Sequence, residues 1–419
     1  MYICISNNKK PNNCNIIYNL SKLLLFFTIA SICFAFFNFM NNKKENYVNA
    51  ENNEVVDYEK ELESATDSVL EDIDFSELEE VLEAVDVDFS LFGGETFKGY
   101  VSKIIKGEET VSLGGMLKIF VGGAVSLLKE MLFPLLVILA IVLLFGVFNN
   151  FKPSSISGVG DIIRYICLAV VSIILAKISS SVISEAKQSL VDLQKQMNAI
   201  FPVLLSLMSI MGGAISVKAY SPMFAFLTNS VSTVFIYVLF PLFVIGFVLS
   251  IVGCFSKNNS FEKINGFISS LFKWVIGIIF TVYMAFMTLN GLTAGTSDGI
   301  SIKATKYAIK NYVPMLGGYI SDGFQVVKAG GLLVKNATGF TGILMLFASI
   351  ISPILSVAVI ELGLKFVAGV IDIVGDKKSS SLLYGVAKSF KLLTVVLVGV
   401  SLMYFFTIFL TMCSVSSFV

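Results

Sequence analysis

DGISIKATKYAIKNYVPMLGGYISDGFQVVKAGGLLVKNATGFTG, residues 298–342, decides how the rest of the chain is read. Apolar stretches flank it, yet it is neither a clean membrane helix nor an ordinary loop. Lys303, Lys306 and Lys310 recur at three- and four-residue spacing, which puts them on one face of a helix that Pro314 interrupts. Gly317, Gly318, Gly323, Gly330 and Gly331 follow, with Asp322, Lys328 and Lys335 set among Met, Leu, Val and Phe. The glycines and the proline predict irregular backbone. Beside membrane spans such backbone survives only under cover of protein or a water-filled cavity, so the segment is expected inside a bundle or re-entering the bilayer. The competing reading is an amphipathic flap on the headgroups.

Composition demands lipid as a solvent. A chain of 419 residues that is 55% hydrophobic, 14% charged and of mean hydropathy +0.82 holds more apolar surface than a soluble core encloses. The zero net charge conceals a division, because most of the acidic side chains crowd into residues 51–95, where Lys60 is the one basic residue. Arg164 is the sole arginine and histidine is absent, which removes imidazole triads and histidine-ligated metals. The six cysteines have no paired spacing and no GxxxxGK[ST] phosphate loop occurs. No catalytic residue, metal site, cofactor or nucleic-acid partner is predicted.

Three regions follow. Residues 1–50 read as an export signal, with Lys9, Lys10 and Lys22 before the apolar run 23–37 and Val48-Asn49-Ala50 as a small-residue cleavage site. An uncleaved anchor is the alternative. Residues 51–130 form a small acidic, amphipathic helical region expected outside the cytoplasm, either a docking surface or a solvated linker. Within it, Ser76 with Glu79 reads as a capping box. Residues 97–106 read as a short helix ended by Gly107, and 111–129 as a longer one on the membrane surface.

Residues 131–419 form a polytopic domain. The fold class is all-α, a helical membrane protein of about six to eight spans. Spans are predicted at 131–148, 162–176, 223–254 (kinked at Pro241), 274–292 (opened by Lys273 and Trp274), 342–360 and 392–413. Two Pro/Gly-interrupted segments, 197–217 with Pro202, Gly212 and Gly213, and 311–336 with Pro314, either cross or do not. Each follows a lysine-bearing amphipathic stretch, 178–198 before the first, as in a duplication with broken helices of the kind that lines a transport path. Lysines are spread over both topologies, and both put the C-terminus on the side of the acidic region. Glu361 and Lys365 can pair along one helix, costly within the bilayer and ordinary if the helix bends out at Pro353.

Several of these stretches in this order carry a family likeness. Lys129-Glu130 enters the first span of the polytopic domain, Pro202 and Gly212-Gly213 follow, and Lys273-Trp274 opens a later span. The lysines of 303–310 then lead to Val313-Pro314-Met315-Leu316-Gly317-Gly318 and to Val334-Lys335-Asn336-Ala337-Thr338-Gly339. The chain resembles the stage III sporulation protein AE family, and the likeness fades in the acidic N-terminal part. The resemblance implies a multi-pass subunit in the mother-cell membrane facing the engulfed forespore. Its partners would be the other subunits of the stage III sporulation A complex, a forespore-side partner, a separate ATPase and the lipid bilayer. A secretion-like channel linking the two cells is the implied role. The residues expected to line its path, or to pack it, are Pro202, Gly212, Gly213, Lys306, Pro314, Gly317, Gly318, Asp322, Lys335, Glu361 and Lys365. An autonomous secondary permease for a small solute is the alternative that the possible repeat suggests.

Overall fold

The computed structural model describes residues 52–85, 96–107, 113–150, 157–256, 260–312, 317–374 and 377–413. Among them every regular element is helical: α1 (Asn52–Asp72), α2 (Ser76–Ala84), α3 (Phe97–Lys106), α4 (Leu113–Asn150), α5 (Ser157–Ile210), α6 (Ala214–Val234), a π-helical turn (Phe235–Leu239), α7 (Phe240–Phe255), α8 (Ser260–Tyr312), α9 (Gly317–Val374) and α10 (Lys377–Cys413). The expected signal, residues 1–50, lies outside the described residues. Residues up to Glu61 form one compact unit, described only for the start of α1; Leu62–Val419 form the second.

Among the described residues, six helices are long and apolar enough to cross a membrane, through Val121–Gly146, Ile162–Ile210, Thr228–Phe255, Lys263–Phe286, Gly323–Ile373 and Lys377–Cys413. The helices are longer than the spans read from hydropathy. Residues 111–129 and 131–148 do not form two helices, because α4 runs through Lys129 and Glu130 unbroken. Likewise 162–176 and 178–198 merge into the 54-residue α5, about 80 Å long against a hydrocarbon core of about 30 Å. Polarity changes along these helices without ending them.

Proline behaves according to its surroundings. Pro202 does not interrupt α5: it stands on an exposed face of a helix that continues to Ile210. Pro353 does not bend α9 out of the bundle either, and the helix continues to Val374. Pro241 does leave a mark. A π-helical turn immediately precedes it, the local widening that lets the ring into a helical column.

Glycine makes the one sharp break among residues 157–256. Gly212 has φ 84°, its N–H donates to the Ser209 carbonyl at 3.0 Å, and that of Gly213 to Met208 at 2.9 Å. This pair of bonds is a Schellman cap. The second expected break falls between Tyr312 and Gly317, and Pro314 within it lies outside the described residues. Gly317 onward is not irregular, as glycine content had suggested, but helical for 58 residues.

The acidic helices differ in their capping. Ser76 is the first residue of α2 rather than its cap; Asp74 Oδ1 accepts from the Ser76 hydroxyl at 2.5 Å and from the Ser76 N–H at 2.9 Å. These bonds hold the Asp74 carboxyl below its ordinary value. Glu79 is thereby free to accept from the Lys98 N–H at 3.0 Å, and Phe75 meets Phe97, so that α2 and α3 are joined at their first turns. Gly107 ends α3 at φ 69°, as the sequence predicts, and the Thr96 side chain caps its start.

Helix α9 is the axis of the bundle. Antiparallel α10 touches it from Gly339–Met412 at one end to the Ser380 hydroxyl on the Ala368 carbonyl (3.0 Å) at the other. Antiparallel α5 touches it from Met211–Gly331 to Glu185–Ser356. Helix α4 runs parallel to it, Gly123 beside Leu355 and Leu135 beside Gly363. Helices α6 and α7 run against α10, with Ser232 and Tyr404 sharing a 2.6 Å hydrogen bond and the Ser250 hydroxyl reaching the Gly385 carbonyl. Helix α8 closes that side, its Asn265 donating to Ser250 at 2.7 Å and its Tyr283 hydroxyl reaching Thr407 and the Met403 carbonyl.

Gly212→Ala forces a side chain into the left-handed region. It is expected to cost about 1–2 kcal/mol, read as a lower thermal midpoint of the purified chain. Gly122→Ala, in open space inside α4, should not lower the midpoint and should raise it slightly, since alanine favours the helix over glycine.

Candidate functional site

The first half of α9 is where chemistry and enclosure coincide. Lys335 is completely buried and Lys328 is 4% exposed. They stand seven residues apart, two turns along one face. Enclosing an ammonium costs several kcal/mol even when it is well paired, so hydrophobic stability does not account for these lysines.

Glycine makes the enclosure possible. Gly331, Lys335 and Gly339 recur every fourth residue, and Gly330 and Gly342 flank that face. A Cβ at Gly330 would meet the Thr66 backbone nitrogen of α1 at 3.0 Å, and one at Gly331 would meet Met211 at the end of α5 at 3.0 Å. At Gly339 it would strike Met412 of α10 at 2.5 Å, and at Gly342 it would press on Ile200 at 3.2 Å. The ends of α5 and α10 and the side of α1 therefore close on α9 where it carries no side chain, and Lys335 is shut in between them. Cys413 and Lys328 are its electrostatic neighbours. From Gly330 to Gly342 the segment is not a surface flap: Val334, Ala337, Thr338 and Thr341 beside Lys335 are buried as well. Helix α3 packs on α9 and α2 on α5, so from Leu62 onward the acidic helices are part of the same compact unit.

The other expected residues scatter. Glu361 and Lys365 form an ion pair on α9, part-exposed, toward its far end. Pro202 faces outward from α5. Gly212 and Gly213 cap α5 and start α6, a structural task. Lys306 lies on α8, and Gly317, Gly318 and Asp322 on the first turns of α9; their side-chain positions, like Pro314, lie outside the described residues.

A second polar system has no counterpart in the expected residues. Along the α5–α9 seam, Gln196 Nε2 donates to the Ser349 hydroxyl at 2.7 Å and the Ser356 hydroxyl to Glu185 Oε1 at 3.2 Å. Residues 178–198 read as an amphipathic stretch, and the partners of Gln196 and Glu185 stand far along the chain in a run that hydropathy marks as span. The signal available was the serines at 349 and 356, spaced by two turns within an apolar helix. Among the described residues, no cluster of three or more His, Cys, Asp or Glu side chains is arranged to hold a metal ion.

Comparison with known proteins follows this geometry closely. The family model described as Stage III sporulation protein AE matches residues 95–415, from the threshold of α3 to beyond the end of α10. Stage III sporulation protein AE of Bacillus subtilis (strain 168) is 25% identical over 260 residues, covering 62% of this chain and 64% of that relative's length. No solved structure matches.

Gly339→Val sets two methyls against Met412. Overpacking of this kind costs about 1–3 kcal/mol, and the expected result is a lower thermal midpoint together with new reactivity of Cys413 toward a maleimide. Gly369→Val, with nothing within 4 Å, should change neither.

Proposed function

Because the chain belongs to the stage III sporulation protein AE family, we propose that it is a membrane subunit of a sporulation-specific channel, a secretion-like complex joining the mother cell to the forespore. In this reading it sits in the mother-cell membrane facing the engulfed forespore and is required for forespore development during or after engulfment. Its partners are the other subunits of the stage III sporulation A complex and a forespore-side component, and a separate ATPase supplies the energy. The family match over residues 95–415 carries the reading.

Residues 1–50 act as the export signal, and the acidic helices α1 to α3 face the space between the two membranes. The Met412–Gly339 and Thr66–Gly330 contacts put the end of α10 and the acidic helices at one end of the bundle, which supports a C-terminus on that same side. The exposed acidic faces of α1 and α2 suit basic partner subunits there. Lys335, enclosed where the ends of α5 and α10 and the side of α1 meet α9, is the path element with the clearest physical rationale, since an ionisable group inside a membrane bundle is kept for function rather than stability. Asp322, Lys306, Pro314, Gly317 and Gly318 precede it on the approach from α8, and Glu361 with Lys365 stands toward the other end.

The test is genetic. Removing the chain in its native host should leave engulfed forespores that fail to mature and lose late forespore gene expression, with heat-resistant spores falling by orders of magnitude. Lys335→Ala and Asp322→Ala, at normal protein levels, should each reduce spore yield. Unimpaired sporulation of both variants would remove these residues from the path, and normal sporulation without the chain would overturn the role itself.

A further inference from the structure

The outward face of α5 changes character at Lys177. Before it, the exposed residues are Ile162, Ile166, Val170 and Ile173, a face suited to lipid. After it, the exposed residues are Ser180, Ser181, Ser184, Glu185, Lys187, Gln188, Lys195 and Asn198. A helix leaving the bilayer shows such a switch, but the neighbours of this stretch are apolar spans. Lys187 Nζ stands 6.0 Å from the centre of the Phe240 ring, near the middle of the span Thr228–Phe255. Gln194 Nε2 donates to Asn229 at 3.1 Å, near one end of that span. On the other flank, Gln196 and Glu185 bond Ser349 and Ser356 inside the span Gly323–Ile373.

Beside Phe240, helix α7 exposes Val244, Ile245, Val248 and Val252, and the π-helical turn exposes Tyr237 and Val238. One side of the bundle thus offers hydrocarbon-compatible surface at the level where the adjacent helix offers ammonium, amide and hydroxyl groups. Charged side chains at that depth are stable only against water or protein. The charges here are of both signs and already satisfied along their own helix, with Asp192 accepting from Gln188 at 3.0 Å and from Lys195 at 3.3 Å, as on a hydrated surface.

We propose that the outward polar face of α5, residues 181–195, borders a water-filled path at the depth of the lipid chains, beside Lys187, as a hydrated element in addition to the enclosed Lys335. It deepens the channel reading and rests on it for what travels there; the presence of water does not depend on sporulation. With lysine and carboxylate alternating along it, the path selects weakly by charge and suits hydrated polar solutes.

The full-length chain in lipid vesicles supplies the test. Trp274 is the sole tryptophan, exposed on α8 at about the level of Phe240, given the Asn265–Ser250 contact on one side of it and the Tyr283–Thr407 contact on the other. In the unaltered protein, lipids brominated near mid-chain should quench Trp274 more strongly than lipids brominated near the headgroup. Nitroxides at Gln188→Cys, Lys195→Cys, Ile245→Cys and Val248→Cys, in a chain with its six native cysteines replaced by serine, then report the medium. Positions 188 and 195 should be relaxed mainly by a water-soluble nickel chelate, and 245 and 248 mainly by oxygen dissolved in lipid. Quenching of Trp274 strongest from the headgroup region would overturn the proposal, since the polar face would then lie at the surface. So would labels at 188 and 195 reached by neither agent, which would mean that another subunit or a second copy covers them. A chain dispensable for sporulation that still shows the expected pattern would refute the channel role and leave the hydrated face standing.

Discussion

Helices in lipid gain nothing by hiding leucine from water, because lipid tails hide it equally well. Association must come from close backbone approach and from hydrogen bonds that hydrocarbon cannot replace. The glycine face of α9 supplies the first. With no side chain at Gly330, Gly331, Gly339 or Gly342, helices α1, α5 and α10 reach the α9 backbone directly. Around this contact the second device repeats at each seam: Gln196 with Ser349 between α5 and α9, Ser232 with Tyr404 between α6 and α10, and Asn265 with Ser250 between α8 and α7. Without the bare face on α9 the lysines at 328 and 335 would not be enclosed, and the acidic helices would have no floor to stand on.

The sequence is informative where a residue acts on its own backbone and silent where it acts across the bundle. Gly107 ends α3 by local chemistry, and that end is visible in the residue itself. Pro241 announces a disturbance by its missing N–H, and the π-helical turn is how the chain absorbs it. Hydropathy, by contrast, reports the medium around a helix rather than the continuity of its backbone. It divided α4 near Glu130 and α5 near Lys177, although the hydrogen-bond ladder runs through both places. Ser76 and Glu79 had the spacing of a capping box, but spacing does not disclose that Asp74 is nearer the open N–H and that Lys98 will need an acceptor.

The candidate residues divide in the same way. Lys335 stood out as a charge in an apolar run, and its burial follows from the glycines printed around it. Glu185 and Gln196 carried no such contrast, since their own stretch is polar throughout. What makes them unusual is the apolar helix facing them, which begins more than a hundred residues later.

Two of the side chains seated on the α9 glycines are thioethers, Met211 and Met412, buried to 0% and 3% exposure. An unbranched sulfur-bearing chain moulds itself to a bare helix, so the joint is tight yet compliant. Oxidation converts that chain into a polar, chiral sulfoxide that no longer fits. As long as the helices stay closed, peroxide cannot reach either sulfur. Sulfoxide at those two methionines, with the rest of the bundle unmodified, is therefore a chemical record of how often the joint has opened.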